Sequence, residues 1–241
     1  MNTQLKQPDS PTVSVVVPVV NEFAQLPDLL DDLKRLDFEN VVIVDGGSTD
    51  GSQSWLKGKA SELAITVLES DKGRAKQMNA GAQLCSSDFL LFLHADTQLP
   101  SRISQEFEFA KKRGFKWGRF DVSFSVSSKQ EYSMRLIASF INLRSRLSGI
   151  ATGDQAIFVD SVLFKQLGGF AELPIMEDVE LSKRLKQSSR PYCSKQKIIT
   201  SPRRWLKNGI IKTVLQMWYM RLAFFLNVPA ETLVNKYKDV R

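Results

Sequence analysis

The stretch VVIVDGGSTDGS, residues 41–52, decides the fold class, because it joins a short apolar run to a polar, glycine-rich cluster. Three more apolar runs share this design: residues 13–19, 64–68 and 89–93 precede the clusters NE, ESDKGR and HADT. Short, nearly continuous apolar runs are typical of strands buried on both faces of a parallel sheet. The four runs therefore predict a parallel sheet with a ligand site beyond the carboxyl ends of its strands.

Helical patterns separate these strands. Leucines recur at helical spacing between residues 26 and 36, and residues 75–84 are rich in good helix formers. After Pro100 the pattern changes: residues 120–126 alternate like a half-buried, antiparallel strand, and residues 155–159 are strand-like. Helices are expected over roughly 130–147 and before Gly168 and Gly169. With no linker or repeat, the chain predicts one α/β domain with a mixed sheet.

The positive charge is concentrated in the last quarter of the chain. The 241 residues carry a net charge of +7, and residues 183–241 contain 14 Lys or Arg against 2 Asp or Glu. Residues 1–182 are therefore mildly acidic. This asymmetry indicates a polyanionic partner, which could be nucleic acid, an anionic membrane or a phosphorylated substrate. A solvated basic face with no specific partner is the alternative.

Location is predicted from three features. Residues 1–12 are polar and contain proline, so we expect a mobile start and no signal peptide. Cys85 and Cys193 have no metal-type spacing, which favours a reducing cytoplasm. The apolar segment 208–228 is interrupted by Lys212 and Arg221 on opposite sides of a helix, which argues against a membrane span. Packing on the domain, contact with a membrane interface and contact in a dimer remain open for this segment.

Several motifs place charged groups at the predicted site. Nucleotide-binding fingerprints of the GxGxxG and GxxxxGK[ST] types are absent, which argues against dinucleotide redox chemistry and P-loop hydrolysis. Arg74 stands at a helix start, where backbone N–H groups also favour a diphosphate. His94 and Asp96 share strand parity if the chain is extended, and Asp96 could hold Mg²⁺ or Mn²⁺ against substrate phosphates. Glu177 and Asp178 begin a helix, a position that helix capping alone can explain.

Taken together, these motifs resemble the family 2 glycosyltransferases of the GT-A fold. VVPVVNE, VIVDGGSTDGS, GRAKQMNAG, FLHADT, GGF and IMEDVEL occur in family order between about residues 13 and 205. The nearest look-alike is the subgroup associated with radical-SAM/selenodomain proteins, which shares HADT, GDQ, EDVEL and RRW. The resemblance implies a mobile segment 1–12, a glycosyltransferase domain 13–205 with donor half 13–99 and acceptor half 100–205, and a basic helical extension 206–241.

The resemblance also implies a role for individual residues. Asp178 would be the catalytic base with Glu177 beside it, and Asp96 would hold the metal, with His94 as a candidate second ligand. The residues implied to bind the nucleotide-sugar are Pro18, Asn21, Glu22, Asp45, Gly46, Gly73, Arg74 and Asn79. Those implied on the acceptor side are Asp154, Gln155, Arg204 and Trp205.

Two departures from the family pattern matter. His94 replaces the first aspartate of the DxD motif, so the site has one carboxylate, and His94 could ligate the metal, hydrogen-bond the donor or Asp96, or be structural. Ser201 replaces the glutamine of the QxxRW motif of processive members. Together with the absence of transmembrane helices, this predicts a non-processive enzyme.

The resemblance predicts an inverting, metal-dependent transfer of one sugar to an acceptor hydroxyl, using Mn²⁺ or Mg²⁺. The expected partners are a UDP-sugar and an acceptor that is phosphorylated or lipid-linked, with no nucleic acid. A homo-oligomer and peripheral contact with the inner face of the membrane are left open. A sugar-phosphate nucleotidyltransferase and a degenerate nucleotide-sugar-binding protein are the alternatives.

Overall fold

A twisted sheet of eight strands forms the centre of the part that the computed structural model describes, residues 10–126 and 130–238, with side chains to residue 234. The strands are β1 (Val13–Val19), β2 (Asn40–Asp45), β3 (Thr66–Glu69), β4 (Phe89–Phe92), β5 (Thr97–Gln98), β6 (Trp117–Phe124), β7 (Phe158–Asp160) and β8 (Tyr192–Thr200). Their order across the sheet is β3-β2-β1-β4-β7-β6-β8-β5. The α/β, mainly parallel sheet predicted from the sequence is confirmed.

The predicted parallel half consists of β1 to β4. β1 pairs in parallel with β2 and β4, and β2 pairs in parallel with β3. Val15 and Val17 of β1 belong to the core cluster on one face of the sheet, whereas Val16 belongs to the cluster on the other face. Burial on both faces explains why these strands read as continuous apolar runs rather than alternating ones.

Helices cover both faces of the sheet. They are α1 (Leu26–Lys34), α2 (Ser52–Leu63), α3 (Arg74–Gln83), α4 (Ile103–Lys112), α5 (Glu131–Ser148), α6 (Ser161–Gln166), α7 (Glu177–Ser188), α8 (Arg203–Asn208), α9 (Ile210–Phe225) and α10 (Ala230–Lys238). The leucine stripe of α1 is buried against the sheet, as its spacing predicted.

A glycine sets the position of α3 on the sheet. A β-carbon at Gly81 would lie 2.5 Å from Val16 Cγ1 and 2.9 Å from Val44 Cγ2, so the helix backbone approaches β1 and β2 too closely for any side chain. Gln77, one turn earlier, donates hydrogen bonds to the Val19 and Val44 carbonyl oxygens at 2.9 and 2.8 Å. These contacts fix the start of α3 beside the ends of β1 and β2.

Three predictions are corrected, two of them in the second half of the domain. β6 is antiparallel to β7 but parallel to β8, a strand that the sequence pattern did not reveal. The strand expected over 155–159 begins only at Phe158, because residues 153–155 form a 3₁₀ turn and Ala156 has a positive φ of 47°. The strand expected over 64–68 begins at Thr66, because Ala64 ends α2 in the left-handed conformation.

The two ends of the chain attach to the domain differently. Residues 1–9 of the segment predicted to be mobile lie outside the described residues, whereas the Thr12 backbone N–H donates to Asp88 Oδ2 at 2.8 Å. At the other end, α9 and α10 pack against the loop that precedes α7 through Ile175, Met220 and Leu233. Within residues 10–126 and 130–238, no helix combines the length and the apolar character that crossing a bilayer requires.

Candidate active site

The glycine-rich loop after β2 is organised by a buried carboxylate. Asp45 Oδ1 accepts hydrogen bonds from the Gly47 and Ser48 N–H groups, each at 2.9 Å. Its other oxygen, Oδ2, is buried and has no hydrogen-bond partner among the described residues. A buried acceptor of this kind favours a bound donor group, and it lies where the sequence predicted the nucleoside.

Two neighbours predicted to bind the nucleotide shape this loop. Asn21 adopts a positive φ of 56°, its Oδ1 accepts from the Thr49 N–H at 2.8 Å, and its own N–H donates to Ser48 Oγ at 2.9 Å. A β-carbon at Gly46 would lie 2.8 Å from Gln77 Cδ, so Gly46 leaves room for the Gln77 side chain. Pro18 is half-buried on β1, at the strand end. Direct contact of these residues with a nucleotide stays a prediction.

The start of α3 carries the predicted diphosphate-binding residues. Gly73 precedes the helix with a φ of 148°, a conformation that suits glycine. Arg74 Nη1 lies 3.4 Å from Glu177 Oε1 of α7, so it bridges the donor and acceptor halves. The Asn79 side chain has a structural role. Its Nδ2 donates to the Phe170 carbonyl and its Oδ1 accepts from the Phe170 N–H, both at 2.8 Å. A nucleotide contact by Asn79 stays a prediction.

The start of α7 brings together the two predicted catalytic carboxylates. Met176 precedes them in the left-handed conformation, with a φ of 66°. Burial raises the pKa of Glu177 and the charge of Asp178 raises it further, whereas the Arg74 guanidinium opposes this shift. Asp178 Oδ2 accepts from the Gly153 N–H and Oδ1 accepts from the Val179 N–H, both at 2.7 Å.

His94 and Asp96 have different surroundings, which corrects the parity argument. β4 ends at Phe92, and a turn closed by the Thr97 N–H and the His94 carbonyl at 3.1 Å follows, so the chain is not extended here. The His94 imidazole lies against Gly153, where a β-carbon would be 2.7 Å from Nε2 and 3.7 Å from Asp178 Oδ2. Asp96 instead faces Arg203, at 3.5 Å between Oδ2 and Nη2.

Arg203 belongs to the RRW motif, but the resemblance gave it no role. Besides Asp96, its Nη2 contacts Glu22 Oε2 at 3.2 Å. Partial burial acts to lower the pKa of Arg203, but the hydrogen bond and charge of Glu22, with the charge of Asp96, outweigh it and raise the pKa. The RRW motif gave the signal, since Arg203 is its first residue, but the family pattern directed attention to Arg204 and Trp205.

The predicted acceptor residues lie beside this bridge and beside Asp178. The Trp205 ring packs edge-on against Phe124, with 6.0 Å between ring centroids, and Arg204 is half-buried next to it. Gln155 is buried, and its Oε1 accepts from the Thr152 N–H at 3.3 Å, which closes a capping box around the Gly153 turn. Asp154 belongs to the same turn.

Two arginines from different helices also reach this region, and the sequence analysis missed their role. Arg144 of α5 lies 3.4 Å from Thr152 Oγ1, next to the turn that holds Asp178. Burial lowers the pKa of Arg144 to about 10, the positive charge of Arg221 adds to this effect, and Asp154 and Asp178 oppose it. Burial also lowers the pKa of Arg221 of α9, against the charges of Asp154 and Asp178. For Arg221 the signal was a lone arginine within an apolar helix, whereas Arg144 is one of three arginines in α5 and does not stand out.

A narrow cavity joins the two halves of the site. It has a volume of about 10 Å³ and is lined by residues of β4, α3, the Gly153 turn and α7, among them Arg74, His94, Gly153, Glu177 and Asp178. The elements that carry the predicted catalytic and phosphate-binding residues therefore meet at one place, the carboxyl ends of the strands.

The residues present fit a divalent metal held jointly with a substrate. In the described ranges, no three His, Cys, Asp or Glu side chains are grouped closely enough to form a metal site by themselves. Mg²⁺ and Mn²⁺, however, commonly use one or two carboxylates and take the remaining ligands from phosphates and water. Asp96 is partly exposed, and its 3.5 Å contact with Arg203 is long, so its oxygens retain acceptor capacity.

Comparison with known proteins gives the family. The profile described as Glycosyl transferase family 2 matches residues 14–162. The chain is 32% identical over 155 residues to an undecaprenyl-phosphate 4-deoxy-4-formamido-L-arabinose transferase of Pseudomonas fluorescens, covering 59% of this chain and 44% of that protein. It is 38% identical over 96 residues to a PGL/p-HBAD biosynthesis glycosyltransferase of Mycobacterium bovis, covering 37% of each. The chain thus spans less than half the length of these relatives.

Solved structures show the same fold. The mannosyltransferase PcManGT from Pyrobaculum calidifontis, in complex with GDP-Man and Mn²⁺, superposes with a TM-score of 0.62 at 19% identity, covering 88% of this chain and 61% of that one. S. aureus TarS (residues 1–349) superposes with a TM-score of 0.63 at 20% identity, covering 80% and 61%. The strand-end site, the GT-A-like architecture and the profile match over most of the chain agree: this protein belongs to glycosyl transferase family 2.

Proposed function

We propose that this protein is an inverting, non-processive glycosyltransferase that moves one sugar from a nucleotide-diphosphate donor, a UDP-sugar, to an acceptor hydroxyl. The observation that carries the proposal is the setting of Asp178. Its carboxylate is held by the Gly153 and Val179 N–H groups at 2.7 Å and lines the cavity that also contains Arg74 and His94. A fixed carboxylate facing a predicted diphosphate site is what an inverting transfer requires of its base.

Asp178 acts in this mechanism as the general base. Each of its oxygens accepts one backbone hydrogen bond, which fixes the carboxylate and leaves further lone pairs for the acceptor hydroxyl. As the hydroxyl oxygen attacks the anomeric carbon, its proton passes to Asp178. Glu177 holds Arg74 from the side, at 3.4 Å, and so orients the guanidinium rather than sharing in proton transfer.

Charge on the departing diphosphate is met by cationic groups. Arg74 stands at the start of α3, where the N–H groups of the first turn add to its positive charge. Mn²⁺ or Mg²⁺ bound at Asp96 together with the donor phosphates would supply Lewis-acid stabilisation of the leaving group. Asp45 and the loop it organises would hold the nucleoside, with Oδ2 as the open acceptor.

The acceptor is proposed to carry a phosphate. Arg144 lies 3.4 Å from Thr152 Oγ1, Arg144 and Arg221 both feel the charges of Asp154 and Asp178, and burial lowers the pKa of both arginines. A phosphate bound between them would offset both their mutual repulsion and their desolvation. The Pseudomonas relative is named for an undecaprenyl-phosphate acceptor, which supports a lipid-linked substrate. Cytoplasmic location and membership of the radical-SAM-associated subgroup remain part of the proposal.

A panel of nucleotide-sugars with Mn²⁺ tests the function. We expect one UDP-sugar to raise the melting temperature and to be hydrolysed slowly with release of the nucleoside diphosphate. Release of pyrophosphate from a sugar phosphate and a nucleoside triphosphate would instead identify a nucleotidyltransferase. Binding of a nucleotide-sugar without any turnover, with or without acceptors, would identify a degenerate binding protein.

A further inference from the structure

The outer face of α9 is apolar, although nothing in the described part of the protein covers it. Its large side chains recur every three or four positions and are between 60% and 76% exposed: Ile211, Leu215, Trp218, Leu222 and Phe225. The opposite side of the helix, which carries Thr213 and Met220, is buried on the domain. The buried side already packs α9 on the domain. An exposed apolar stripe on its other side is typical of an interaction surface.

α5 has a second stripe of the same kind. Its exposed apolar residues, again three or four positions apart, are Tyr132, Leu136, Phe140, Leu143 and Leu147. Arg144 of α5 lies 3.4 Å from Thr152 Oγ1, and the nearby charges that act on it include Arg221 of α9. Each arginine flanks the apolar stripe of its own helix. We call the outer stripes of α5 and α9 together the apolar face; it borders the acceptor side of the site.

Basic side chains flank the α9 part of the apolar face. Residues 202–230 contain five Lys or Arg and no Asp or Glu. Lys207 and Lys212 are exposed beside the stripe of α9, and Lys183 Nζ lies 4.9 Å from the ring centroid of Phe224 at its other end. A second copy of this chain would bring two such positive surfaces together, whereas an anionic lipid surface complements them.

We propose that the apolar face docks on the surface of an anionic lipid bilayer. The aromatic and aliphatic side chains would enter the region between headgroups and acyl chains, where Trp and Tyr are favoured, while the lysines meet anionic headgroups. Docking would turn the acceptor side, with Arg144 and Arg221, toward the bilayer. The docking surface does not depend on the proposed function. The conclusion that the acceptor resides in the membrane does rest on the proposed function.

Vesicle co-sedimentation tests the docking surface. We expect the full chain to pellet with vesicles of phosphatidylcholine and phosphatidylglycerol, to pellet much less with phosphatidylcholine alone, and to dissociate as salt is raised. The double variant Leu215→Glu/Leu222→Glu should lose at least about tenfold in binding, a difference of about 1.4 kcal/mol. Val162→Glu, which adds a single glutamate at a residue 64% exposed on α6, should bind like wild type.

Three results would overturn the proposal. The first is wild-type binding that does not depend on lipid charge, and the second is equal binding by the double variant and by Val162→Glu. The third is a dimer in sedimentation equilibrium that the double variant dissociates, which would identify a second copy as the occupant. An assay of soluble UDP-sugar hydrolysis distinguishes failure of the docking surface from failure of the proposed function. Hydrolysis without vesicle binding would reject only the docking surface. Vesicle binding without donor binding or hydrolysis would reject only the proposed function.

Discussion

Asp178 is held by two backbone N–H groups, so its replacement by asparagine keeps the shape of the site but removes the base. We expect Asp178→Asn to lower kcat by about 10²–10⁴, the usual cost of losing a positioned base. Because the proposed nucleoside-binding residues lie on the other half of the domain, the Kd for the nucleotide should change little. Single-turnover assays and calorimetric titration measure the two quantities, and turnover at the wild-type rate would contradict the assignment.

Gly153 is needed for a steric reason that the sequence does not reveal. A β-carbon there would lie 2.7 Å from His94 Nε2, so Gly153→Ala must displace the imidazole or the turn whose N–H holds Asp178. Displacement of about 1 Å at a reacting group costs up to about 10²-fold in rate. We expect kcat to fall by that order while donor binding is kept.

Removing the imidazole tests this explanation. In the double variant His94→Ala/Gly153→Ala, the methyl group added at residue 153 has room. The kcat of the double variant should therefore be higher than the product of the two single-variant losses would give. Additive losses would show that the contact with His94 is not the cause.

The raised pKa of Glu177 predicts the direction in which the free energy of unfolding changes with pH. Its folded-state pKa lies above the ordinary value of 4.5, so the folded protein holds this proton more tightly than the unfolded chain. The resulting stability is complete below the unfolded pKa and is lost as pH rises through the folded pKa. Denaturant unfolding between about pH 5 and about pH 8 should therefore show Glu177→Gln gaining on wild type as pH rises.

Glu62 is the matched control, because its hydrogen bond to Lys59 and the Lys59 charge lower its pKa. Its contribution is complete above the unfolded pKa and is lost only as pH falls through the folded pKa, so Glu62→Gln should run parallel to wild type between about pH 5 and about pH 8. A Glu177→Gln profile parallel to wild type would contradict the direction given for Glu177.

At the scale of elements, the same substitution should have opposite effects in two helices. Gly81→Ala places a methyl group 2.5 Å from Val16 Cγ1 where α3 meets the sheet, and overpacking of this kind costs about 1–3 kcal/mol. This exceeds the gain of about 1 kcal/mol that alanine has over glycine in a helix. Gly58 of α2 has open space around it, so Gly58→Ala should show that gain alone. Chemical denaturation measures both free energies of unfolding.

At the scale of the molecule, α9 and α10 are expected to unfold with the domain. Met220 is fully buried in the cluster that joins them to the loop before α7. Met220→Ala should lower the free energy of unfolding by about 2–5 kcal/mol in a single calorimetric transition. Leu215→Ala, on the exposed side of the same helix, should stay within about 0.5 kcal/mol of wild type. A separate early transition would show that the extension unfolds independently.

The sequence predicted the parallel half of the fold well, because strands buried on both faces have a strong and local signal. It did not reveal β8, nor that β6 pairs in parallel with it, since such pairing depends on contacts between distant residues. The same limit applies to the site. Asp178 and Arg74 were found by motif, whereas Arg144 and Arg221 come from helices far apart in the chain. His94 and Asp96 were predicted to point the same way, but a turn after Phe92 separates them.

The bridge from Arg203 to Glu22 and Asp96 has a consequence for the order of binding. A metal ion held by Asp96, as proposed, would share this carboxylate with a cation that the chain itself supplies, and it would weaken the existing ion pair. A donor that arrives with its own phosphates supplies replacement anions for Arg203 and ligands for the metal at the same time. Under the proposed function, metal and donor would be thermodynamically coupled through one arginine, and each should bind more tightly in the presence of the other.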